Sequence, residues 1–333
     1  MGKTARVVSP RVKWGIVGTG TMGCTAIKAL KEAASAEVVA ITDVNAEARR
    51  KAQETFEIEH SFDNLELLLE KTDVDAIYIA TPPYLHCQQA VQAAEAGKHV
   101  FCEKPMAMSE EECQRMIEAC KRNGVKLMVG FKARFNSYHQ HLRKMIVKGE
   151  LGELVFLRAE RIVLIDCKWG WHEDPRISGG GVLADLGTHA IDLLRYLAGS
   201  EVTSVRGITS RVTDYHSPEI EETGSILLRF ANNAQGIINI SIASPIDRAD
   251  VWACGTRGEV ICRNTLGGAG NGSMEVIIRG KRRQVTLPAN NEYQCEVEHF
   301  SQCILHNRQP LISGEDGLEC TRILTRVYQE ESR

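Results

Sequence analysis

Residues 12–23 have the sequence VKWGIVGTGTMG, and this stretch decides the fold of the first half of the chain. The first six residues are mostly apolar and predict a short buried strand. GTGTMG then matches the pattern GxGxxG, and a helical pattern follows to about Ala33. In that context the first glycine allows a tight turn and the second lets a pyrophosphate approach the backbone. The third lets the helix pack closely on the strand. The stretch therefore predicts a dinucleotide-binding turn.

The adenosine end of the cofactor is predicted from the next strand. Residues 37–42 form an apolar run that ends at Asp43, which follows Gly23 by 20 residues. An acidic residue there can accept hydrogen bonds from the ribose, and its charge repels a 2′-phosphate, so NAD is favoured over NADP. Arg49 and Arg50 argue the other way, although their helical run predicts a solvated helix face. The predicted contacts in the turn, where free N–H groups can bind phosphate, are Gly18, Gly20, Thr21, Met22 and Gly23.

Strands and helices continue to alternate up to about residue 129, which predicts a parallel, doubly wound sheet. Ligands of such sheets lie at the carboxyl ends of the strands. Three segments leave those ends, namely residues 81–86 (TPPYLH), 103–105 (EKP) and 130–135 (GFKARF). Lys104 stands directly before Pro105, which restrains its backbone. We therefore expect Lys104 at the edge of the cofactor crevice.

A second notable stretch is GGGVLADLGTHAID at residues 179–192, in which a glycine loop precedes a helical pattern. Asp185 and His189 are four residues apart and should share one helix face. A carboxylate beside an imidazole can fix its tautomer and raise its basicity, so His189 is the candidate base. Asp192 is a secondary candidate. The glycines are expected to let the loop approach nicotinamide or substrate closely.

Composition excludes several classes of protein. The 333 residues suffice for two domains, and a net charge of -3 gives no broad basic field for nucleic acid or an anionic membrane. No apolar run approaches the roughly 18 residues that span a bilayer. Residues 1–11 lack an apolar signal region and are expected to form a short disordered leader. The eleven cysteines contain no CxxC pair, so we expect no metal site and reduced thiols in a cytoplasmic protein.

The second half has a different pattern. Short turns such as residues 232–235 and 255–258 separate β-prone runs, which predicts an antiparallel sheet. The glycine-rich residues 267–272 lack a strand-and-helix context and are expected to form a hairpin loop. The fold class is thus an N-terminal doubly wound Rossmann domain (residues 12–133) followed by an α+β domain (134–333) with an open, mostly antiparallel sheet. The predicted strands cover residues 154–165, 202–213, 222–230, 236–243, 249–254, 259–263, 275–278 and 283–287.

Taken together, the GxGxxG opening, the TPP turn with its histidine, the EKP turn and the GGG…DLGxHxxD run resemble the Gfo/Idh/MocA family. This family includes glucose–fructose oxidoreductase and inositol dehydrogenase, and the resemblance extends from Val12 to about Gln329. It implies a Rossmann domain, an open antiparallel sheet and a reaction that oxidises a sugar or polyol hydroxyl with NAD(P), or the reverse reduction. It also implies a homodimer or homotetramer joined through the C-terminal sheet.

The resemblance assigns roles to individual residues. Lys104 would hydrogen-bond the reacting oxygen, His189 would be the acid/base, and Asp185 would assist it and bind substrate. Trp171 is the residue we favour for stacking on a sugar face. His172 stands where the family usually has arginine, so it is a candidate specificity residue. The other cofactor contacts expected are Thr81, Pro82, His86, Glu103 and Lys104, and Arg134 is expected to join Lys104, Trp171, His172, Asp185 and His189 around the substrate.

Three functions remain open from the sequence. The first is an NAD-dependent dehydrogenase or reductase acting on a sugar, inositol or related polyol. The second is a glycosidase of the same fold that uses transient oxidation by bound NAD. The third is a sugar or nucleotide sensor without activity, but such proteins tend to lose the lysine and histidine, both of which are present here.

Overall fold

The computed structural model describes residues 10–267 and 272–331, which form two β-sheets surrounded by helices. The expected leader therefore lies almost wholly outside the described residues, as does most of the glycine-rich loop, from 268 to 271. Within the described ranges, no helix combines the length and the apolar character needed to cross a membrane.

The first sheet has six parallel strands in the order β3-β2-β1-β4-β5-β6. This is the strand order of the doubly wound dinucleotide-binding fold and confirms the prediction. The strands are β1 (Val12–Val17), β2 (Ala36–Thr42), β3 (His60–Phe62), β4 (Ala76–Ile79), β5 (His99–Cys102) and β6 (Leu127–Val129). The helices between them are α1 (Thr21–Glu32), α2 (Ala46–Phe56), α3 (Leu65–Lys71), α4 (His86–Glu95) and α5 (Glu110–Arg122). Only β3 was missed, because three residues carry too little periodic pattern.

The second sheet has nine strands and is mostly antiparallel, as predicted. Only the neighbours β7 and β10 run parallel among its described strand pairs. Its strands are β7 (Leu154–Leu164), β8 (Val202–Ser210), β9 (Thr223–Phe230), β10 (Gln235–Ser241), β11 (Ala243–Arg248), β12 (Val251–Gly255), β13 (Gly258–Arg263), β14 (Ser273–Ile278) and β15 (Lys281–Val285). β11, which pairs with β7, was not predicted.

Three helices accompany the second sheet, namely α6 (Ser137–Val147), α7 (Pro175–Ser178) and α8 (Thr188–Ala198). A π-helical turn at Leu183–Gly187 leads directly into α8.

Of the last two helices, α9 (Glu292–Leu305) returns to the first sheet, and α10 (Gly314–Glu331) packs against β8 of the second sheet as well as α5 and β6 of the first half. The fully buried Trp14 ring of β1 lies 5.8 Å from the Phe300 ring, and its indole N–H donates to the Ser301 hydroxyl at 3.2 Å. Burying an aromatic side chain of this kind stabilises a fold by about 2–3 kcal/mol. The end of the chain thus completes the hydrophobic core of the first half. The boundary at residue 133 is therefore the point where the chain leaves the first sheet, and it does not separate two independent cores.

Candidate active site

The dinucleotide turn has the three glycines it requires, each for a different reason. Gly18 has φ +93° and a Cβ there would lie 2.8 Å from the Ala80 carbonyl oxygen. A Cβ on Gly23 would overlap the carbonyl oxygen of Gly18. At Gly20 a Cβ would meet no atom within 4 Å. The backbone at Gly20 is therefore open to a group as large as a pyrophosphate.

Helix α1 begins directly after this glycine and no side chain caps its N-terminus. The N–H groups of Thr21, Met22 and Gly23 lie in its first turn, where a helix supplies no carbonyl partners. Unpaired N–H groups at the positive end of the helix dipole fit a phosphate.

Asp43 is held firmly at the end of β2. Its Oδ2 accepts the Thr19 N–H at 2.7 Å and the Thr19 hydroxyl at 3.0 Å, and its Oδ1 accepts the Asn45 N–H at 2.8 Å. The guanidinium of Arg49 donates to the Asp43 carbonyl, whereas Arg50 pairs with Glu54 at 2.9 Å on the surface. Arg50 thus lies on the predicted solvated helix face, and Arg49 is half-buried beside Asp43. Oδ2 thus accepts two hydrogen bonds and Oδ1 only one, so Oδ1 keeps a lone pair for a ribose hydroxyl.

Two predicted cofactor contacts have their side chains turned away from the crevice. The His86 ring is fully buried, with Nδ1 3.0 Å from the Pro105 carbonyl and Nε2 2.7 Å from the Thr81 carbonyl. The carboxylate of Glu103 is also buried and accepts the Tyr78 hydroxyl at 2.5 Å. Both side chains are thus occupied by protein partners, and a contact of these residues with the cofactor stays a prediction. His86 joins the TPP turn to the EKP turn, while Thr81 and Pro82 remain partly exposed after β4.

Lys104 and Asp185 meet across the crevice between the two halves of the chain. Lys104 Nζ lies 2.5 Å from Asp185 Oδ1 and 2.9 Å from the Asp185 carbonyl oxygen. Their side chains are only 12% and 23% exposed. Burial alone would raise the pKa of Asp185, but the charge and hydrogen bond of Lys104, together with the charges of His172 and Lys132, lower that pKa. Asp185 therefore stays ionised as the partner of Lys104.

His189 lies one turn further on, at the start of α8. Its Nδ1 is buried and has no hydrogen-bond partner in the described part of the chain. Burial lowers the pKa of His189 well below 6.5, and the Lys104 and Lys132 ammonium groups lower it further. The imidazole is consequently neutral at neutral pH and can accept a proton.

The predicted contact between Asp185 and His189 does not form. None of the hydrogen bonds described for this region joins them, and the Asp185 carboxylate turns to Lys104 instead. The π-helical turn at Leu183–Gly187 changes the spacing of side chains in this segment. Such turns are frequent at functional sites, but a sequence pattern based on 3.6 residues per turn does not reveal them.

A small pocket lies beside this ion pair. Lys104, Asp185, Trp171 and His172 line it together with the backbone at residues 180–181. Its volume of about 20 Å³ is room for about one water molecule. The structure therefore brings together four of the residues predicted to surround a substrate, in a closed arrangement.

The two aromatic residues of this pocket belong to a three-ring stack. The His172 ring lies between Trp171 (centroids 3.7 Å apart) and Trp169 (4.9 Å). Its Nδ1 lies 2.9 Å from the Trp169 carbonyl, to which only an N–H can donate, so Nε2 is the acceptor of the neutral ring. Burial lowers the pKa of His172, and the nearby Asp185 only partly opposes this. Trp171 remains 40% exposed.

Glu173 holds this aromatic loop in place and was not singled out from the sequence. Its carboxylate accepts the Trp169 N–H at 2.6 Å and the Ser217 N–H at 3.2 Å. No sequence signal identifies it, because Ser217 is 44 positions away.

Arg134 is also engaged by protein groups. It forms a bidentate pair with Asp192 at 2.9 and 2.6 Å and a further contact with Asp316 at 2.7 Å, all largely buried. Most of its donors are therefore already paired within the protein, and its contact with a substrate stays a prediction. Arg134 ties α8 to α10, and Asp192 belongs to that ion pair.

Lys132 is a functional candidate that the sequence argument overlooked. Its side chain is largely buried, with Nζ 4.0 Å from Glu292 Oε2 and 4.9 Å from the centre of the Tyr293 ring. Burial lowers the pKa of Lys132 despite its acidic neighbours. Its position in GFKARF, just after β6, was the available signal.

The triple glycine makes room for protein groups. Gly180 has φ +147°, and a Cβ there would overlap the Tyr328 hydroxyl. A Cβ on Gly181 would lie 2.5 Å from the Glu221 carbonyl oxygen. These two glycines therefore allow close packing against Glu221 and Tyr328, while their backbone also lines the small pocket.

Comparison with known proteins finds family models that match both halves of the chain. The family model for an oxidoreductase family with an NAD-binding Rossmann fold matches residues 12–131, and that for the GFO/IDH/MocA C-terminal domain matches residues 139–261. Myo-inositol 2-dehydrogenase of Thermotoga maritima is 29% identical, covering 91% of each protein. 1,5-Anhydro-D-fructose reductase of Ensifer adhaerens is 27% identical, covering 92% of each. The solved structure of aldose-aldose oxidoreductase from Caulobacter crescentus, complexed with glycerol, is similar with a TM-score of 0.90 and 26% identity, covering 97% of this chain and 98% of that one.

Proposed function

Because this chain belongs to the Gfo/Idh/MocA family of oxidoreductases and has its NAD-binding Rossmann domain, we propose that it transfers hydride between nicotinamide and a secondary hydroxyl of a sugar, inositol or related polyol, or the corresponding ketone. The observation that carries the proposal is the Lys104–Asp185 contact across the crevice, one helical turn from a neutral His189.

The residues of the first half fit NAD. The open backbone at Gly20 and the first N–H groups of α1 would hold the pyrophosphate, and Asp43 would accept from the ribose. When bound, NAD supplies the hydride acceptor. The Asp43 carboxylate disfavours a 2′-phosphate, so we propose NAD as the preferred cofactor, with Arg49 as the residue that would favour NADP.

The proton is handled by residues of both halves. In oxidation, His189 takes the proton of the substrate hydroxyl, while Lys104 donates to the same oxygen and stabilises the developing alkoxide. Since the ammonium of Lys104 also makes that hydroxyl more acidic, a base with a lowered pKa suffices. Asp185 orients Lys104 through the ion pair between them. In the reverse direction the same groups protonate the alkoxide.

The pocket supports a substrate with both apolar and polar faces. Trp171 offers ring surface for sugar C–H groups, and His172 Nε2 can accept a hydroxyl. Because the closed pocket holds about one water molecule, the loop at residues 166–178 must move to admit a sugar. The named reactions of the relatives, on an inositol, an anhydrofructose and aldoses, support cyclic polyols as the substrate class.

We also propose that the protein associates with itself through the second sheet. Leu227, Ile237, Arg158 and Trp252 lie in register across four neighbouring strands, on the face opposite the buried residues of those strands. Leu227 is an apolar residue left exposed in this row. The mass in solution, measured by light scattering, would contradict this if it were that of one chain.

A panel of sugars and cyclitols, each with NAD and with NADP, tests the proposal. We expect NADH absorbance to rise with at least one pyranose or cyclitol, and to rise less with NADP. Products should be analysed in the same samples, since glycoside cleavage without net NADH would indicate the glycosidase reaction instead. Cofactor binding with neither reaction across the panel would contradict the proposal.

A further inference from the structure

We propose that Glu221 is a positioning residue for the active site, whose carboxylate fixes the start of the segment that carries Asp185 and His189. The catalytic meaning of this role rests on the proposed function. The contacts that define the role are independent of it.

Glu221 binds three successive N–H groups of the glycine loop. Its Oε2 accepts from Gly181 at 3.0 Å, its carbonyl oxygen from Val182 at 3.2 Å, and its Oε1 from Leu183 at 2.9 Å. These groups begin the helical segment and so have no carbonyl partners within it. A carboxylate at this end also interacts favourably with the helix dipole. One distant residue thus caps three of the N–H groups at this end of the helical segment.

The Glu221 carboxylate is itself held by a hydrogen bond from another part of the chain. The Tyr328 hydroxyl of α10 donates to Glu221 Oε1 at 2.8 Å. Glu221 also lies only two residues before β9, so the cap is attached to the second sheet. The missing Cβ atoms at Gly180 and Gly181 are what allow Tyr328 and Glu221 to come this close. The glycines, the glutamate and the tyrosine therefore form one arrangement.

This arrangement leads directly to the ion pair. The Asp185 N–H donates to the Gly181 carbonyl at 3.2 Å. The residues that Glu221 caps therefore form the helical turn that directly precedes Asp185. Asp185 must reach Lys104 in the other half of the chain, and a displacement of about 1 Å at a reacting group can cost about 10²-fold in rate. Loosening the cap should therefore act on turnover more than on cofactor binding.

The test uses Glu221→Gln, which keeps the shape but replaces one acceptor with a donor that cannot pair with an N–H. Tyr328→Phe removes the hydroxyl that supports the Glu221 carboxylate and that also contacts the loop backbone at Gly181 and Ala184. Glu219→Gln, an exposed carboxylate two positions earlier, is the matched control. We expect amide hydrogen exchange at residues 181–185 to accelerate about tenfold in Glu221→Gln, because a lost hydrogen bond of ordinary strength corresponds to that factor. Tyr328→Phe should show a smaller change and the control none.

Kinetics of the same variants separate positioning from general stability. We expect kcat of Glu221→Gln to fall about tenfold or more, with a smaller change in substrate KM and an unchanged NADH Kd. A lowered Tm with wild-type kcat and wild-type exchange at 181–185 would overturn the inference. If the wild-type protein oxidised nothing in the panel, only the proposed function would be contradicted. Amide hydrogen exchange at residues 181–185 would still decide whether Glu221 positions this segment.

Discussion

Lys104 sets the charge state of its two neighbours at the scale of single residues. Its ammonium keeps Asp185 ionised and, with burial, keeps His189 neutral. The motifs were enough to name all three residues, because each stands in a characteristic run. The motifs did not predict which of the three residues pair with each other. Lys104 and Asp185 are 81 positions apart, and the π-helical turn affects which partner the Asp185 carboxylate reaches.

Lys132 offers a pH test of this electrostatic account. Oxidation needs neutral His189, so its rate is lost as pH falls through the pKa of that group, which lies below 6.5. Lys132→Met removes a positive charge that lowers this pKa, so we expect the acid limb of kcat/KM to move to higher pH. Lys121→Met, on the exposed surface of α5, is the control and should leave the limb in place. An unchanged limb in Lys132→Met would show that Lys132 does not act on the base.

At the scale of elements, local sequence patterns predicted the helices, strands and turns well, whereas contacts between distant segments could not be predicted. The dinucleotide turn could be predicted from the sequence because the atoms that require glycine there lie a few residues away or at the end of a neighbouring strand. His86, Glu103 and Arg134 lie in the predicted segments, yet their side chains turn to buried partners that no local pattern reveals. A residue at a crevice edge can thus face either the crevice or the core.

Gly20→Ala tests the dinucleotide turn. Its φ of -68° suits alanine and a Cβ there touches nothing, so we expect an unchanged Tm. The added methyl occupies the approach of the pyrophosphate, so KM for NAD should rise about tenfold or more. Gly124→Ala is the matched contrast, because at φ +66° with open space around it the methyl costs about 1 kcal/mol of stability and leaves KM alone. Unchanged NAD kinetics in Gly20→Ala would place the cofactor elsewhere.

At the scale of the whole molecule, the site exists only where two halves meet. The first sheet places Lys104 at its carboxyl edge, and the second half brings Asp185, His189 and the aromatic loop to it. Period-two runs and short turns predicted the class of the second sheet. They could not predict that β7 and β10 pair in parallel or that α9 returns to the first sheet, because both depend on chain segments far apart in sequence.

The most direct test of this account is the turnover of His189→Ala beside its affinity for NADH. Removing a general base costs about 10²-fold or more in rate, so kcat for the best substrate of the panel should fall by at least that amount. The NADH Kd should stay at the wild-type value, because the predicted contacts with the pyrophosphate and ribose lie at Gly20 and Asp43. His306→Ala, an exposed histidine, should match the wild type in both measurements. Full turnover in His189→Ala would contradict the account.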